Sequence, residues 1–261
     1  MRTAAVLLVA APLALTACGG GSSSSTKTVD LTPVASVKAA AQKSAQATSE
    51  HVDLNATATV QGSPFAITGS GDFDSAKKTG QMTAHANLQG IDMQIDEVLD
   101  GTALYLKSPL FSAALPAGKS WLKLDLEKVG KAQGVDLSQL MGQDPSQSFA
   151  QLQASGNVAK VGDETIDGVD TTHYRGRFDP AKLPAAAKIK GLEHAKYGPY
   201  EVWIGNDDGY VHRVKSSYSL GQQAFGLTMS FSDFGKDVSV TVPAASESVD
   251  ATSKSLQGLG G

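Results

Sequence analysis

The chain has 261 residues, 41% of them hydrophobic and 6% aromatic, with 22 basic against 26 acidic side chains and a formal charge of -4. That length can bury one sizeable core, and a slightly acidic balance with no basic block excludes the electrostatic footprint of a nucleic-acid binder. A single cysteine excludes an internal disulfide, so packing must supply the stability.

Met1 and Arg2 make a short positive start, and Ala4 to Leu15 form an apolar run interrupted only by Pro12, the layout of a secretory signal. Such a run rises only ~18 Å as a helix against a hydrocarbon core of ~30 Å, too little to span a bilayer. Leu15-Thr16-Ala17-Cys18 then resembles the lipobox of bacterial lipoproteins: Leu, a small or β-branched residue, Ala or Gly, and Cys. The resemblance implies that residues 1–17 are removed as a signal peptide and that the Cys18 thiol carries diacylglycerol. It also implies that two acyl chains hold the protein on the cell membrane, facing outside the cytoplasm. Residues 18–31, the lipidated Cys and a Gly/Ser run, are expected to be a tether with a mean span of ~20 Å and a full stretch of ~45 Å.

The folded domain is expected over residues 32–243. Thr32-Pro33 reads as an N-cap with proline at the first helical position, and Val34, Val37, Ala41 and Ala45 place a thin apolar stripe on a helix to about Ser49. From His51 the period becomes two. Val52, Leu54, Ala56, Ala58 and Val60 alternate with polar residues; so do Phe65, Ile67, Gly69, Gly71 and Phe73, then Met82, Ala84, Ala86 and Leu88, then Ile91, Met93 and Ile95. Turn residues separate these runs, so they predict an antiparallel meander, which Asp100-Gly101 continues by a hairpin into Thr102–Lys107. Ser108 to Gly118 is an apolar loop whose Leu110, Phe111 and Leu115 either fold over the core or meet an apolar partner. An extended segment at Trp121 to Leu126 follows, then short helices over Glu127–Met141 and Asp144–Ala154.

The second half repeats the pattern. Strands are expected at Val158–Thr165 and Val169–Phe178 about Asp167-Gly168, a helix from Asp179-Pro180 to Lys190, and strands at Pro199–Gly205, Tyr210–Leu220 and Ala224–Phe234. That makes about eleven strands, with an edge strand at Val238–Val242 and a flexible tail over 244–261.

In the first three strands the middle of the apolar face is small: Ala56 and Ala58, Gly69 and Gly71, Ala84 and Ala86. Side by side they make a shallow trough, which a helix either fills by close packing or roofs as a cavity. Adaptable apolar residues rim it, so the candidate cavity residues are Ala56, Ala58, Phe65, Ile67, Met82, Ala84, Ile91, Met93 and Met229. No buried charge is evident on this face.

Asp167-Gly168-Val169-Asp170-Thr171-Thr172-His173-Tyr174-Arg175-Gly176 and Tyr200-Glu201-Val202-Trp203-Ile204-Gly205, continued by Gly209-Tyr210-Val211-His212-Arg213-Val214, add a second resemblance. With the lipobox, helix and meander, they resemble the actinobacterial lipoproteins of the LppX and LprG type, in the LolA-like superfamily. The resemblance implies an α+β fold, a strongly curved antiparallel half-barrel with helices covering its concave face, that holds acyl chains of lipids or glycolipids in the envelope. A membrane transporter or envelope protein is then an exchange partner, and the protein acts as a monomer.

Catalytic signatures are missing from the sequence: no Gly-x-Ser-x-Gly elbow, phosphate loop or dinucleotide fingerprint occurs. The histidines at 51, 85, 173, 194 and 212 sit singly, mostly at solvent-facing positions and without metal-ligand spacing, and Asn206-Asp207-Asp208-Gly209 reads as a turn rather than a calcium loop. Arg175, Arg177 and Arg213 are placed to face outward together. The expectation is a tethered lipid or glycolipid carrier that is no enzyme and needs no cofactor or metal. The alternative is an envelope sensor or scaffold that binds a protein.

Overall fold

In the computed structural model, which describes residues 32–60, 63–88, 91–112, 115–132, 157–177 and 196–253, the first helix α1 spans Pro33–Ser44. Thr32 caps it as expected, with extended backbone (φ −61°, ψ 152°) and a hydroxyl that accepts from the Ala35 N–H at 3.4 Å. The helix stops short of Ser49 because the chain already enters the first strand there. The elements that follow are β1 (Ser49–Val60), β2 (Ser63–Asp74), β3 (Thr79–Leu88), β4 (Ile91–Asp100), β5 (Ala103–Lys107), α2 (Pro109–Ser112), β6 (Trp121–Asp125) and α3 (Leu126–Ala132). After them come β7 (Val158–Ile166), β8 (Val169–Arg177), β9 (Lys196–Tyr197), β10 (Pro199–Gly205), β11 (Val211–Leu220), β12 (Gln223–Ser232) and β13 (Ser248–Asp250).

All 13 strands join one open, curved sheet in the order β13-β6-β5-β4-β3-β2-β1-β12-β11-β10-β8-β7, with β9 beside β11. Pairing is antiparallel except between β13 and β6. The eleven expected strands are present, and β9 and β13 bring the number among the described residues to 13. The helices expected at Asp144–Ala154 and from Asp179 to Lys190, and the end of the one expected to Met141, lie outside the described residues. So does the cover they were expected to give the sheet.

Two expectations for the C-terminal segment fail. Val238–Val242 forms no strand, and Thr241, Val242 and Pro243 instead lie along a groove with Gln81, Val98 and Trp121. The segment from Ala244 to Thr252 is folded rather than a loose tail. Ser248, Val249 and Asp250 pair with Trp121, Leu122 and Lys123, and the Thr252 hydroxyl, 4% exposed, accepts the Asp125 N–H at 2.9 Å. The partner strand is more than a hundred residues away, and a polar Ser-rich stretch carries no local sign of it.

Register separates the two faces of the sheet. One rung runs Tyr174, Val202, Val214, Met229, Leu54, Gly69, Ala84, Ile95, all on one face; the next residue along each strand gives His173, Trp203, Arg213, Ser230, Asp53, Ser70, Thr83, Asp96 on the other. Along this rung the apolar face therefore continues from β8 to β4 without a slip. Burying it is the main source of stability, at ~25 cal/mol per Å² removed from water.

Over β10 and β11 this face is covered by α1. Val37, Ala40 and Ala41 pack with Tyr200, Val202, Ile204 and Val211 in the main buried cluster, joined by Val158, Tyr174, Val214 and Phe231. The buried Ser44 hydroxyl accepts the Val211 N–H at 2.8 Å, which satisfies a backbone donor that the helix would otherwise strand. Close approach elsewhere depends on glycine. A Cβ on Gly80 would lie 2.2 Å from the ring of its cross-strand partner Phe73, and one on Gly176 2.3 Å from the ring of Tyr200, so each aromatic ring lies down across a bare backbone.

Candidate functional site

The nine candidate cavity residues occupy five neighbouring strands and one face, the face that carries α1. Their rungs are Met229, Leu54, Gly69, Ala84, Ile95; Leu227, Ala56, Ile67, Ala86, Met93; and Phe225, Ala58, Phe65, Leu88, Ile91. Met82 lies one rung further, between Gly71 and Glu97. Ala84 and Ala86 are each 4% exposed, whereas Ala56, Ala58, Phe65, Ile67, Met82, Met93 and Met229 are half-buried. The register staggers the small residues instead of aligning them: Gly69 meets Ala84, but Ala56 meets Ile67 and Gly71 meets Met82. Met82 leans over the gap, its sulfur 2.9 Å from where a Gly69 Cβ would be. The small positions thus form a diagonal depression with a flexible thioether across it.

Two carboxylates escape the sequence reading. Glu50, opposite Phe73, and Glu97, opposite Met82, share the apolar face. Burial pushes the Glu50 carboxyl up to about 7 and raises that of Glu97. Extending the alternation one residue before His51 and one step beyond Ile95 would have placed both inward.

The other face carries hydrogen-bonded polar clusters. His51 Nδ1 lies 2.7 Å from Asp72 and its Nε2 3.1 Å from the Ser70 hydroxyl, a serine, histidine and aspartate in the connectivity of a hydrolytic triad. Asp53 shares the same ring nitrogen at 3.5 Å, and β2 is paired on both sides, so the backbone N–H groups about Ser70 are committed to the sheet and offer no oxyanion hole. The cluster is a charge network. The Asp72 hydrogen bond, then the neighbouring Asp53 charge, raises the His51 pKa against partial burial. That stabilisation is complete below the ordinary histidine value near 6.5 and is lost as pH rises through the higher folded value. His51→Asn should flatten the fall in urea-unfolding stability as pH rises above the ordinary histidine value of 6.5, and an unchanged slope would rule the network out as its source.

His173 and His212 are buried, 5% and 7% exposed, not solvent-facing as expected. His173 stacks on Trp203 with ring centroids 4.2 Å apart, and Glu164 bridges the two, 2.8 Å from His173 Nδ1 and accepting the Trp203 N–H at 3.1 Å. Arg175 pairs with Glu201, and Arg213 with Asp167 at 2.8 Å, so these two outward arginines serve the sheet surface. Among the described residues no group of His, Cys, Asp and Glu has the arrangement of a metal site.

An open, curved antiparallel sheet with an apolar face, over part of which the amphipathic helix α1 lies, defines the class: a LolA-like half-barrel. Solved structures share the fold. LppX of Mycobacterium tuberculosis matches with a TM-score of 0.51 at 19% identity, over 80% of this chain and 98% of that one, and LprF of Mycobacterium bovis with 0.51 at 15%, over 82% and 97%. The chain belongs to the LppX_LprAFG lipoprotein family, whose pattern it matches over residues 32–240. An uncharacterised 31.2 kDa protein of Streptomyces griseus, encoded between rplA and rplJ, is 32% identical over 56% of this chain and 53% of its own length. A candidate lipoprotein of Streptomyces coelicolor is 26% identical over 51% and 43%. The chain thus spans about half the length of the curated relatives it matches. Among the described residues no helix is long and apolar enough to cross a membrane.

Proposed function

We propose that the protein is a membrane-tethered lipid carrier that holds acyl chains of lipids or glycolipids on the apolar face of the half-barrel, with Cys18 as its diacylated anchor. The observation that carries this reading is the apolar patch that β12, β1, β2, β3 and β4 share on one face. Met229, Ala56, Ala58, Phe65, Ile67, Met82 and Met93 lie together there, half-buried and on the side where a ligand would be enclosed between sheet and helices. Ala84 and Ile91 complete the patch by register. Each buried methylene contributes ~0.8 kcal/mol, so ten give ~8 kcal/mol, close to the cost of drawing a chain from a bilayer. Loading and release are then nearly balanced, and a membrane transporter or envelope partner sets the direction. A monomer suffices for this chemistry, and no cofactor, metal or catalysis is needed.

Native mass spectrometry and lipid extraction of the purified chain test the reading. Bound lipid, or uptake of a labelled diacylglycerolipid, is the expected result. A lipid-free chain that takes none up would favour the sensor or scaffold reading. Ala58→Phe and Ala84→Phe should each lower recovered lipid severalfold while the circular dichroism spectrum is kept; undiminished loading in both folded variants moves the site elsewhere. Cys18→Ala should shift the protein from the membrane fraction to the soluble fraction without unfolding it, and retention in the membrane would overturn the anchor.

A further inference from the structure

Beyond the rungs of Ala56 and Leu54 the apolar face continues for two more. The first runs Val52, Gly71, Met82, Glu97, Leu106, Leu122, and the second Glu50, Phe73, Gly80, Leu99, Leu104, Leu124. Every other residue in these two rungs is an aliphatic, a phenylalanine, a methionine or a glycine. The carboxylates stand on adjacent rungs and three strands apart, about 14 Å across the sheet at a spacing of ~4.8 Å per strand. Both lie at the same end of the depression formed by Gly69, Ala84 and Ala86.

Among the described residues neither carboxyl has a hydrogen bond or an ion pair, and burial is the cause that raises both. The basic groups around them are paired already or turned elsewhere. Lys77 binds Asp74 at 2.7 Å in the β2–β3 turn, Lys236 binds Asp233 beyond β12, and Lys128 and Lys131 of α3 bind Asp125 and Glu127. Lys107 and Lys123 lie on the opposite face, over the Trp121 and Tyr105 rings; on α1, Lys43 lies over Tyr210. Lys38 and Lys78 are exposed, and α2 carries no charge. A carboxyl kept among apolar groups without a donor costs free energy that the chain alone does not recover. A guest that brings donors to it offsets that cost.

We infer that Glu50 and Glu97 form the headgroup end of the acyl trough and select lipids with an uncharged, hydroxyl-rich head over lipids with an anionic phosphate head. This rests on the carrier reading and deepens it. A carboxyl accepts a hydroxyl proton whether or not it is ionised, whereas a phosphate brings acceptors and a charge of the same sign. Ionisation of Glu50, centred on about pH 7, sharpens that rejection. Two acceptors about 14 Å apart are too far from one another to share a single ammonium or a metal ion, and they suit a head with several donors, as a sugar has. From Glu97 the acyl chains then lie along Ala84, Ala86 and Met93, where the face is free of charge.

The test offers the purified full chain three labelled dioleoyl lipids in vesicles and reads uptake by native mass spectrometry. One bears a diglucosyl head, one is phosphatidylmethanol, whose single charge does not titrate between pH 5.5 and 8, and one bears a phosphate-free primary ammonium. At pH 8 the glucolipid should be taken up severalfold more than either of the others, and the margin over phosphatidylmethanol should narrow at pH 5.5, where Glu50 is neutral. The double variant Glu50→Gln, Glu97→Gln should admit severalfold more phosphatidylmethanol at pH 8 and lose the pH dependence. The double variant Glu50→Leu, Glu97→Leu should take up the glucolipid and phosphatidylmethanol alike. Circular dichroism checks that each variant is folded. Equal uptake of all three lipids by the wild-type chain overturns the inference and leaves the carrier reading standing. So does a preference for phosphatidylmethanol or for the ammonium lipid, or a glucolipid preference that survives in the leucine variant. Uptake of none of the three sinks the carrier reading and the inference with it.

Discussion

Gly71→Ala should cost the fold about 3 kcal/mol, visible as a drop of roughly 10 °C in the thermal midpoint. The new Cβ would lie 2.2 Å from the Gln81 carbonyl oxygen and 2.7 Å from the Met82 Cα, both backbone atoms of the paired strand β3, so only separating β2 from β3 relieves the contact. Gly69→Ala is the internal control. Its nearest atom is the Met82 sulfur at 2.9 Å, the far part of a side chain that can swing aside, so the cost should stay below about 1 kcal/mol. The two substitutions are chemically identical, two residues apart and on the same face. Equal losses in urea titrations would show that the sheet at Gly71 yields as easily as a methionine side chain does.

Glu50→Gln should stabilise the protein, and more so as pH rises. Burial holds the Glu50 carboxyl near 7, against an ordinary value of 4.5. Between those two values the folded chain keeps a proton that the unfolded chain has released, so stability falls as pH rises through the window, and the penalty is complete above about 7. The gain on substitution reaches at most on the order of 3 kcal/mol above that pH, reduced by whatever water the half-buried side chain retains. Below about pH 4.5 the wild-type carboxyl and the amide that replaces it are both neutral, and the advantage should vanish. A gain that is the same at both extremes would trace it to packing instead of charge.

Glu50 also marks where the sequence stops being legible. Alternation from Val52 to Leu88 is plain, and the sheet follows it without slipping. Asp100-Gly101 and Asp167-Gly168 read as hairpins and adopt that geometry, with φ of +51° at Asp167 and +84° at Gly168. Alternation says which side a residue faces but not which residue it meets. The small residues of the first three strands therefore share a face yet lie staggered, since register depends on turns whose length shifts each strand against the next. Contacts between distant segments leave no local trace either. Ser70 and His51 come together across a hairpin, His173 finds Trp203 from another strand, and the polar stretch at Ser248 becomes a strand only because β6 is there to receive it.

That last pairing bears on how the chain is made. Both edges of the sheet need protection against pairing with another molecule. β7 protects itself with a register irregularity at Lys160/Gly162 and with Lys160, Asp163 and Glu164 along its length. β6, with the sequence Trp-Leu-Lys-Leu-Asp, has no such irregularity, and among the described residues its free edge is covered by β13, more than a hundred residues further along the chain. Until Ser248–Asp250 has been synthesised, the nascent chain leaves this border of β6 unpaired. A fusion or truncation that removes Ser248–Asp250 leaves that border open for good, and self-association through β6 is its natural outcome.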